Sequence, residues 1–235
     1  MHEHADEHII ERLLTDNEQL ASHNREHFDA LGCFVINLMS APGAGKTSLI
    51  AQTAPALKET LDLTVIEGDM VGDLDVQRLK EAQIKAFQIS TGRSCHLDAA
   101  MVARLLHSKE MPTSDLVFIE NVGNLVCPAE FPLGEHRRVV LLSVTEGDDK
   151  PLKYPVIFRN CDVVILTKCD LMPYVEFDKE RLKRAIRGLN PEAKLFEISA
   201  KTGFGMDEWL DWIRTQCSVF QADRKKHRSE AFMNL

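Results

Sequence analysis

The 235-residue chain lacks the features that mark several large classes of protein. It has no apolar run long enough to span a bilayer, and its N-terminus has no basic region followed by an apolar stretch, as a secretory signal would. An excess of basic charge is also missing, since the net charge is −8 at pH 7. This argues against nucleic-acid and membrane-surface partners. The sequence therefore predicts a cytoplasmic protein with neither kind of partner.

Cysteine is present, but not in a disulfide pattern. The six cysteines have irregular spacing, which indicates reduced thiols. Internal repeats and low-complexity linkers are absent, and the length suits one α/β domain with a sizeable core. Basic residues are concentrated only at 224–228, in a segment that we interpret as a polar C-terminal tail over residues 221–235.

Strand and helix patterns alternate after residue 30. Apolar runs predict strands at 34–39, 63–66, 86–89, 116–119, 139–144, 163–166 and 195–198. Helical spacing predicts helices at 47–59, 73–82, 96–107, 178–189 and 206–220. Continuous apolar strands are typical of a parallel sheet covered on both faces. We therefore expect a three-layer αβα domain over residues 31–220, preceded by a helical extension over residues 1–30.

The segment SAPGAGKT at residues 40–47 joins an apolar run to a helical pattern, which is the setting of a phosphate-binding P-loop. Its backbone N–H groups can surround a β-phosphate, and the helix N-terminus adds partial positive charge. Lys46 would reach the β- and γ-phosphates, and Thr47 would bind Mg²⁺. Ser40 replaces the first glycine of the motif, and an ordinary glycine-rich turn is the alternative. The predicted phosphate-binding residues are Gly43, Ala44, Gly45, Lys46, Thr47 and Ser48.

Two later segments favour guanine as the base. Residues 167–170 (TKCD) end a strand pattern and are similar to the Asn-Lys-x-Asp motif of GTPases, with Thr in place of Asn. The Asp170 carboxylate can accept hydrogen bonds from guanine N1–H and the exocyclic amine, an arrangement that adenine lacks. Residues 199–201 (SAK) resemble the motif whose backbone N–H meets guanine O6, although each short motif alone is weak. The predicted base-binding residues are Thr167, Lys168, Asp170, Ser199, Ala200 and Lys201.

Acidic residues at the ends of strand patterns are candidates for holding Mg²⁺. Glu120 lies where a Walker B carboxylate would, and Gly123 matches the glycine that offers its amide to a γ-phosphate. Asp69 is either a second Mg²⁺ or phosphate contact or a turn residue at the end of a strand. No glutamine is placed to orient water, which predicts slow hydrolysis and favours a switch over a metabolic kinase. We expect Lys46 and Glu120 to be the catalytic residues.

A second set of candidates has donors suited to a transition metal. Cys127 lies four residues beyond Gly123, and Cys95 and His96 follow another turn. Thiolate and imidazole suit Ni²⁺ and Zn²⁺, and three ligands leave a site incomplete, so a two-fold dimer could join two half-sites. The alternative for any cysteine is a small apolar core residue, which fits Cys33, Cys161 and Cys217.

Three longer segments resemble the HypB family, the nickel-incorporation GTPases of hydrogenase maturation. They are residues 92–98 (GRSCHLD), 120–129 (ENVGNLVCPA) and 145–155 (TEGDDKPLKYP), and the similarity extends over about residues 30–218. The resemblance implies a P-loop NTPase of the SIMIBI class, a GTP-dependent homodimer, and nickel or zinc at its interface. By position, it implies that Cys95, His96 and Cys127 are the metal ligands.

The resemblance also sets expectations for function. Lys150 and Lys153 match a segment that would meet the partner subunit's nucleotide, although a solvated basic loop explains them nearly as well. We expect a slow GTPase that passes nickel to a HypA-type accessory protein or to the large-subunit precursor of a [NiFe]-hydrogenase. The alternatives are a urease-accessory GTPase, which typically has Cys-Pro-His where this chain has CPA at 127–129, a P-loop kinase and a metal-storage protein.

The N-terminus departs from part of that family. Some members carry a cysteine-rich nickel motif there, whereas this chain has no cysteine before Cys33. His2, His4 and His8 stand in this region instead. These histidines either bind nickel weakly through neutral imidazole or belong to a polar terminus.

Overall fold

The computed structural model describes residues 2–69, 74–108, 111 and 113–233. Within this part of the chain, seven parallel strands form one sheet with the order β3-β2-β4-β1-β5-β6-β7. The strands are β1 Phe34–Ser40, β2 Leu63–Asp69, β3 Lys85–Ser90, β4 Leu116–Gly123, β5 Arg137–Ser143, β6 Val163–Thr167 and β7 Lys194–Glu197. The central strand β1 is buried along its whole length, because helices cover both faces of the sheet.

Helices form the two outer layers. They are α1 His2–Leu31, α2 Lys46–Leu57, α3 Leu74–Glu81, α4 Ala99–His107, α5 Lys150–Lys153, α6 Pro155–Arg159, α7 Lys179–Leu189 and α8 Met206–Met233. Short 3₁₀ turns occur at Cys127–Ala129, Val144–Glu146 and Cys169–Tyr174. The expected three-layer αβα P-loop fold with an N-terminal helix is therefore confirmed.

Successive residues of β1 point to opposite faces of the sheet and pack in separate apolar cores. Ile36 packs with α2 and α8, where the buried Trp209 indole N–H donates to Thr53 Oγ1 at 3.0 Å. Val35 packs on the opposite face with Phe28 of α1 and Val102 of α4. A run of consecutive apolar residues in a strand thus serves both layers at once.

The N-terminal helix is bound to the rest of the domain by buried polar contacts. The Asn24 side-chain amide donates to the carbonyls of Ala99 at 2.8 Å and Leu133 at 3.1 Å. The Asn17 side-chain oxygen accepts from Ala99 N at 2.8 Å, and Phe28 is fully buried. Helix α1 therefore packs against α4 and covers one face of the sheet.

Two predicted boundaries were wrong. The helix predicted at 206–220 is too short, because α8 continues to Met233, and Gln221 and Arg224 donate to the carbonyls of Gly32 and Ala30. Helix α4 does not begin at residue 96. Asp98 accepts a capping hydrogen bond from Met101 N at 2.7 Å, so the helix starts at Ala99.

No helix in the described ranges is long and apolar enough to cross a bilayer. The side chains of His2, His4 and His8 lie outside the described residues, so their expected nickel binding stays a prediction.

Candidate nucleotide and metal sites

The loop between β1 and α2 has the backbone conformation of a phosphate-binding turn. Gly43 and Gly45 have φ angles of +74° and +101°, a region that favours glycine. The Lys46 side chain is buried, and its amine donates to Ser40 Oγ at 3.0 Å. Burial lowers the pKa of Lys46, and the charge of Glu120 opposes that effect. Ser40, the departure from the motif, therefore holds in place the lysine that is predicted to bind phosphate.

Thr47 and Glu120, two of the residues predicted to hold Mg²⁺, are in direct contact. The Thr47 hydroxyl donates to Glu120 Oε1 at 2.7 Å. Glu120 is almost fully buried, and its Oε2 atom has no hydrogen-bond partner among the described residues. Burial raises the pKa of Glu120, although Lys46 and Thr47 lower it. A buried carboxylate oxygen without a partner, next to a hydroxyl, fits the oxygen ligands that Mg²⁺ requires.

Glu67 is a second buried carboxylate that the sequence analysis missed. It pairs in register with Glu120 across β2 and β4, is only 3% exposed, and has an Oε2 atom without a described partner. Burial, followed by the charge of Glu120, raises the pKa of Glu67 to about 8. Asp69, for which the sequence left a Mg²⁺ or phosphate contact and a turn residue as alternatives, lines the same cavity of about 560 Å³. A signal was available, because Glu67 directly follows the apolar run at 63–66, at the end of a predicted strand.

A neighbouring cavity of about 290 Å³ is lined by most of the residues predicted to bind the base. Ala44, Gly45 and Ser48 of the P-loop meet Thr167, Lys168, Asp170, Ala200 and Lys201 there. Ser199 does not line this cavity. It is fully buried, and its hydroxyl donates to Asp170 Oδ1 at 2.6 Å. Ser199 therefore positions the carboxylate that would read the base.

The loop at residues 167–170, which is predicted to bind the base, is also hydrogen-bonded to the P-loop. The Thr167 hydroxyl donates to the Ala44 carbonyl at 2.6 Å, and the Lys168 amine donates to the Gly43 carbonyl at 2.8 Å. Lys168 has a φ angle of +58°, a strained conformation for a residue with a side chain. Thr167, which stands where the GTPase motif has Asn, and Lys168 thus connect the predicted base-binding loop to the P-loop.

Gly123 brings the end of β4 against the P-loop. A Cβ atom on Gly123 would lie 2.9 Å from the Cα and N atoms of Pro42, so a larger residue would force the two segments apart. Lys150 and Lys153 line neither cavity of this chain. The Lys153 amine lies 2.6 Å from Asp149 Oδ2, and that of Lys150 lies 5.4 Å from the Tyr154 ring centre. Their contact with a partner subunit's nucleotide stays a prediction.

Cys95, His96 and Cys127 come together as the sequence predicted. The two sulfur atoms are 3.2 Å apart, and Cys95 Sγ lies 3.9 Å from His96 Nδ1. The hydrogen bond between the two thiols is the main cause of the raised pKa of Cys127. Burial lowers the pKa of His96, which favours the neutral imidazole that a metal requires. Two free thiols and one imidazole are a donor set for Ni²⁺ or Zn²⁺.

Two asparagines that the sequence analysis did not assign join the metal ligands to β4. Asn124 donates to the Cys95 carbonyl at 3.2 Å and accepts from Val126 N at 2.8 Å. Asn121 accepts from Leu97 N at 3.2 Å. Because both asparagines flank Gly123, a shift at the phosphate end of β4 would move the loop that carries Cys95.

Among the described residues, the remaining cysteines belong to no cluster of metal donors. Cys33, Cys161 and Cys217 are buried in the apolar cores, and burial raises the pKa of Cys161 and Cys217 to about 12. The Cys169 thiol donates to the Leu166 carbonyl at 3.1 Å, and its pKa is raised to about 11. These thiols are structural.

A family profile described as "CobW/HypB/UreG, nucleotide-binding domain" matches residues 34–197. The hydrogenase maturation factor HypB of Azotobacter chroococcum mcd 1 is 48% identical over 208 residues, covering 88% of this chain and 68% of that protein. The crystal structure of HypB from Archaeoglobus fulgidus has 42% identity and a TM-score of 0.80, covering 86% of this chain and 99% of that chain. HypB from Helicobacter pylori in complex with nickel has 37% identity and a TM-score of 0.82, covering 87% and 96%.

The resemblance inferred from residues 92–98, 120–129 and 145–155 is thereby confirmed over most of the chain. The family match includes the P-loop, β4 with Glu120 and Gly123, and all three clustered metal donors. The chain therefore belongs to the HypB family of hydrogenase maturation factors, within the CobW/HypB/UreG nucleotide-binding proteins.

Proposed function

We propose that this protein is a GTP-hydrolysing nickel metallochaperone that couples nucleotide state to metal affinity during [NiFe]-hydrogenase maturation. The observation that carries the proposal is the continuity of one segment. Glu120 and Gly123 face the phosphate cavity, Asn124 contacts the Cys95 loop, and Cys127 is a metal donor. Eight residues thus link two sites with different chemistry.

The nucleotide would be a guanine nucleotide. Asp170, fixed by Ser199, can accept from two guanine N–H groups, and the Lys168 stem can lie against the base. Lys46 would neutralise the phosphates during slow hydrolysis. When bound, Mg²⁺ would supply charge neutralisation at the β- and γ-phosphates, held by Thr47 and Glu120 with Glu67 and Asp69 beside them.

Contact between the Gly123 amide and a γ-phosphate would order residues 123–127. Through the hydrogen bond from Asn124 to the Cys95 carbonyl, this ordering would also fix the loop that carries Cys95. The sulfur and imidazole donors would then be held in one arrangement. Hydrolysis would remove the contact and loosen the metal ligands. By thermodynamic linkage, nickel must then tighten GTP binding by the same factor as GTP tightens nickel binding.

The metal site also favours a homodimer. Three donors from one chain are one short of a tetrahedral set, so two copies related by a two-fold axis could complete it. Val126, Leu152 and Val156 expose 57%, 56% and 41% of their surface on neighbouring elements, as apolar residues of such an interface would. In that dimer, Lys150 and Lys153 would approach the partner subunit's nucleotide.

Nickel would then pass to a HypA-type accessory protein or to the hydrogenase large-subunit precursor, in the cytoplasm. Ni²⁺ and Zn²⁺ both suit the donor set. The HypB from Helicobacter pylori, with 37% identity over most of this chain, has been solved in complex with nickel, which supports nickel as the cargo here.

The test is a nickel titration of protein loaded with GDP or with a non-hydrolysable GTP analogue and Mg²⁺, with molar mass followed by light scattering. We expect the GTP form to dimerise and to bind nickel at least about tenfold more tightly, within the usual range of allosteric coupling. Cys127→Ala should abolish that gain, whereas Cys217→Ala, a buried thiol on α8, should keep it. Nickel affinity that is equal in both nucleotide states would contradict the proposal.

A further inference from the structure

Three histidines outside the sites described above converge on one surface. His23 and His27 lie one turn apart on α1, and His107 is the last residue of α4. One ring nitrogen from each lies within 4.8 Å of the others. The ring centres are separated by 4.7 Å for His23 and His27, 5.1 Å for His27 and His107, and 5.9 Å for His23 and His107.

The fold sets this arrangement. Residues four apart on a helix share a face, so His23 and His27 project together from α1. Asn24, next to His23, fixes the position of α1 by donating to the Ala99 and Leu133 carbonyls from a buried site. The convergence with His107 therefore follows from the packing of α1 against α4.

The surroundings favour a cation. His107 lies at the C-terminal end of α4, where the helix dipole places partial negative charge. Glu26 Oε2 lies 4.0 Å from His23 Nδ1. His23 and His107 are exposed and His27 is half-buried, so an ion can reach the cluster from solvent.

We propose that His23, His27 and His107 form a second transition-metal site, which takes Ni²⁺ or a similar divalent ion such as Zn²⁺. Imidazole is a preferred ligand of these ions, and three histidines are an established ligand set for zinc. With bonds of about 2.0–2.1 Å, donors around one ion are at most about 4.2 Å apart. The ring nitrogens, which lie within 4.8 Å of one another, would come within this limit by rotation of the side chains.

This site is distinct from the cysteine site. Cys95 and His96 precede α4, whereas His107 ends it, and nine helical residues span about 13 Å. All three histidines come from one chain, so metal binding at this site would not require a dimer. Its donors are nitrogen only, and it leaves ligand positions open to water. It would therefore hold metal in an exchangeable form, without the nickel–thiolate absorption that the cysteine site should give.

The test is a nickel titration of tag-free, full-length protein carrying Cys95→Ser and Cys127→Ser, with calorimetry as the readout. We expect one nickel ion per chain to remain bound, with no thiolate charge-transfer band. Adding His27→Ala or His107→Ala should weaken this nickel binding at least about 10- to 100-fold. Even the loss of a residue that only supports a metal ligand costs roughly that much affinity. His107 lies at the exposed end of α4 and on a different helix from His27, so the two variants are independent tests. Circular dichroism checks that each variant is folded.

The matched control is His2→Ala/His4→Ala/His8→Ala in the same background, which removes the other histidines of the N-terminal region. The proposal expects nickel binding to survive in this control. It is overturned if nickel does not bind once the two cysteines are replaced, or if binding survives His27→Ala and His107→Ala. Loss of binding only in the N-terminal control would also overturn it, by placing the ion at the terminus.

Discussion

Glu67 and Glu120 place two carboxylates side by side in the least solvated part of the phosphate cavity. Burial raises the pKa of both, and each has one oxygen without a described hydrogen-bond partner. Lys46 is buried nearby with a lowered pKa. Without a divalent ion, the negative charges repel each other where solvent screens them poorly. Protonation of Glu67 relieves this repulsion in the metal-free chain, and a divalent ion bound at the two carboxylates would do the same.

Glu67 should make stability depend on pH in the metal-free protein. Its pKa is 4.5 ordinarily and about 8 in the folded chain, so between these values the folded state binds more protons than the unfolded state. The free energy of unfolding should therefore fall as pH rises through this window. Glu67→Gln should remove much of the fall and stabilise the protein at pH 8 by about 1 kcal/mol or more, the scale of one pKa unit. Urea unfolding at several pH values measures this.

The control for this prediction is Glu81→Gln, at the exposed end of α3. It should leave the pH profile unchanged. If Glu67→Gln and the parent protein lose stability with the same slope between pH 4.5 and 8, the raised pKa of Glu67 is not the cause.

At the scale of elements, the long apolar strands were predictable and their connections were only partly so. The strand runs and the residues that follow them appear directly in the sequence, which is why the P-loop, TKCD and SAK segments were assigned to strand ends. Helices α5 and α6 were missed because they are only four and five residues long. Asn121 and Asn124 were missed because their role depends on the Cys95 loop, which is distant in sequence.

The end of β4 should be sensitive to a single methyl group. In Gly123→Ala, Cβ would lie 2.9 Å from backbone atoms of Pro42, and overpacking of this kind costs about 1–3 kcal/mol. We expect affinity for a GTP analogue to fall about tenfold, the equivalent of about 1.4 kcal/mol, with a smaller effect on GDP. Competition with a fluorescent nucleotide measures both affinities.

Gly188→Ala is the matched control, because a Cβ atom on this residue of α7 would meet nothing within 4 Å. It should leave nucleotide affinity unchanged and stabilise the helix by about 0.5–1 kcal/mol. Equal GTP-analogue affinity in Gly123→Ala and the parent would show that the approach of β4 to Pro42 is not needed for binding.

At the scale of the whole molecule, the nucleotide cavities and the cysteine site lie on loops that follow the parallel strands. This is the edge at which α/β sheets bind ligands. The 3₁₀ turn that begins at Cys127 contacts α6, which continues from α5. Metal donors and exposed apolar residues therefore occupy connected elements, so that closing the metal site and burying the apolar surface would be one event.

That connection predicts how self-association should respond to Leu152. This side chain of α5 is 56% exposed, and burial of a leucine is worth about 1.5–3 kcal/mol. Because a two-fold interface uses each residue twice, Leu152→Asp should weaken the proposed GTP-dependent dimer by at least about tenfold. Light scattering across a concentration series measures this. Leu13→Asp, at a 57% exposed position on α1, should leave the dimer intact. If both variants dimerise equally, the interface lies elsewhere, and the cysteine donors of two chains are not brought together by α5.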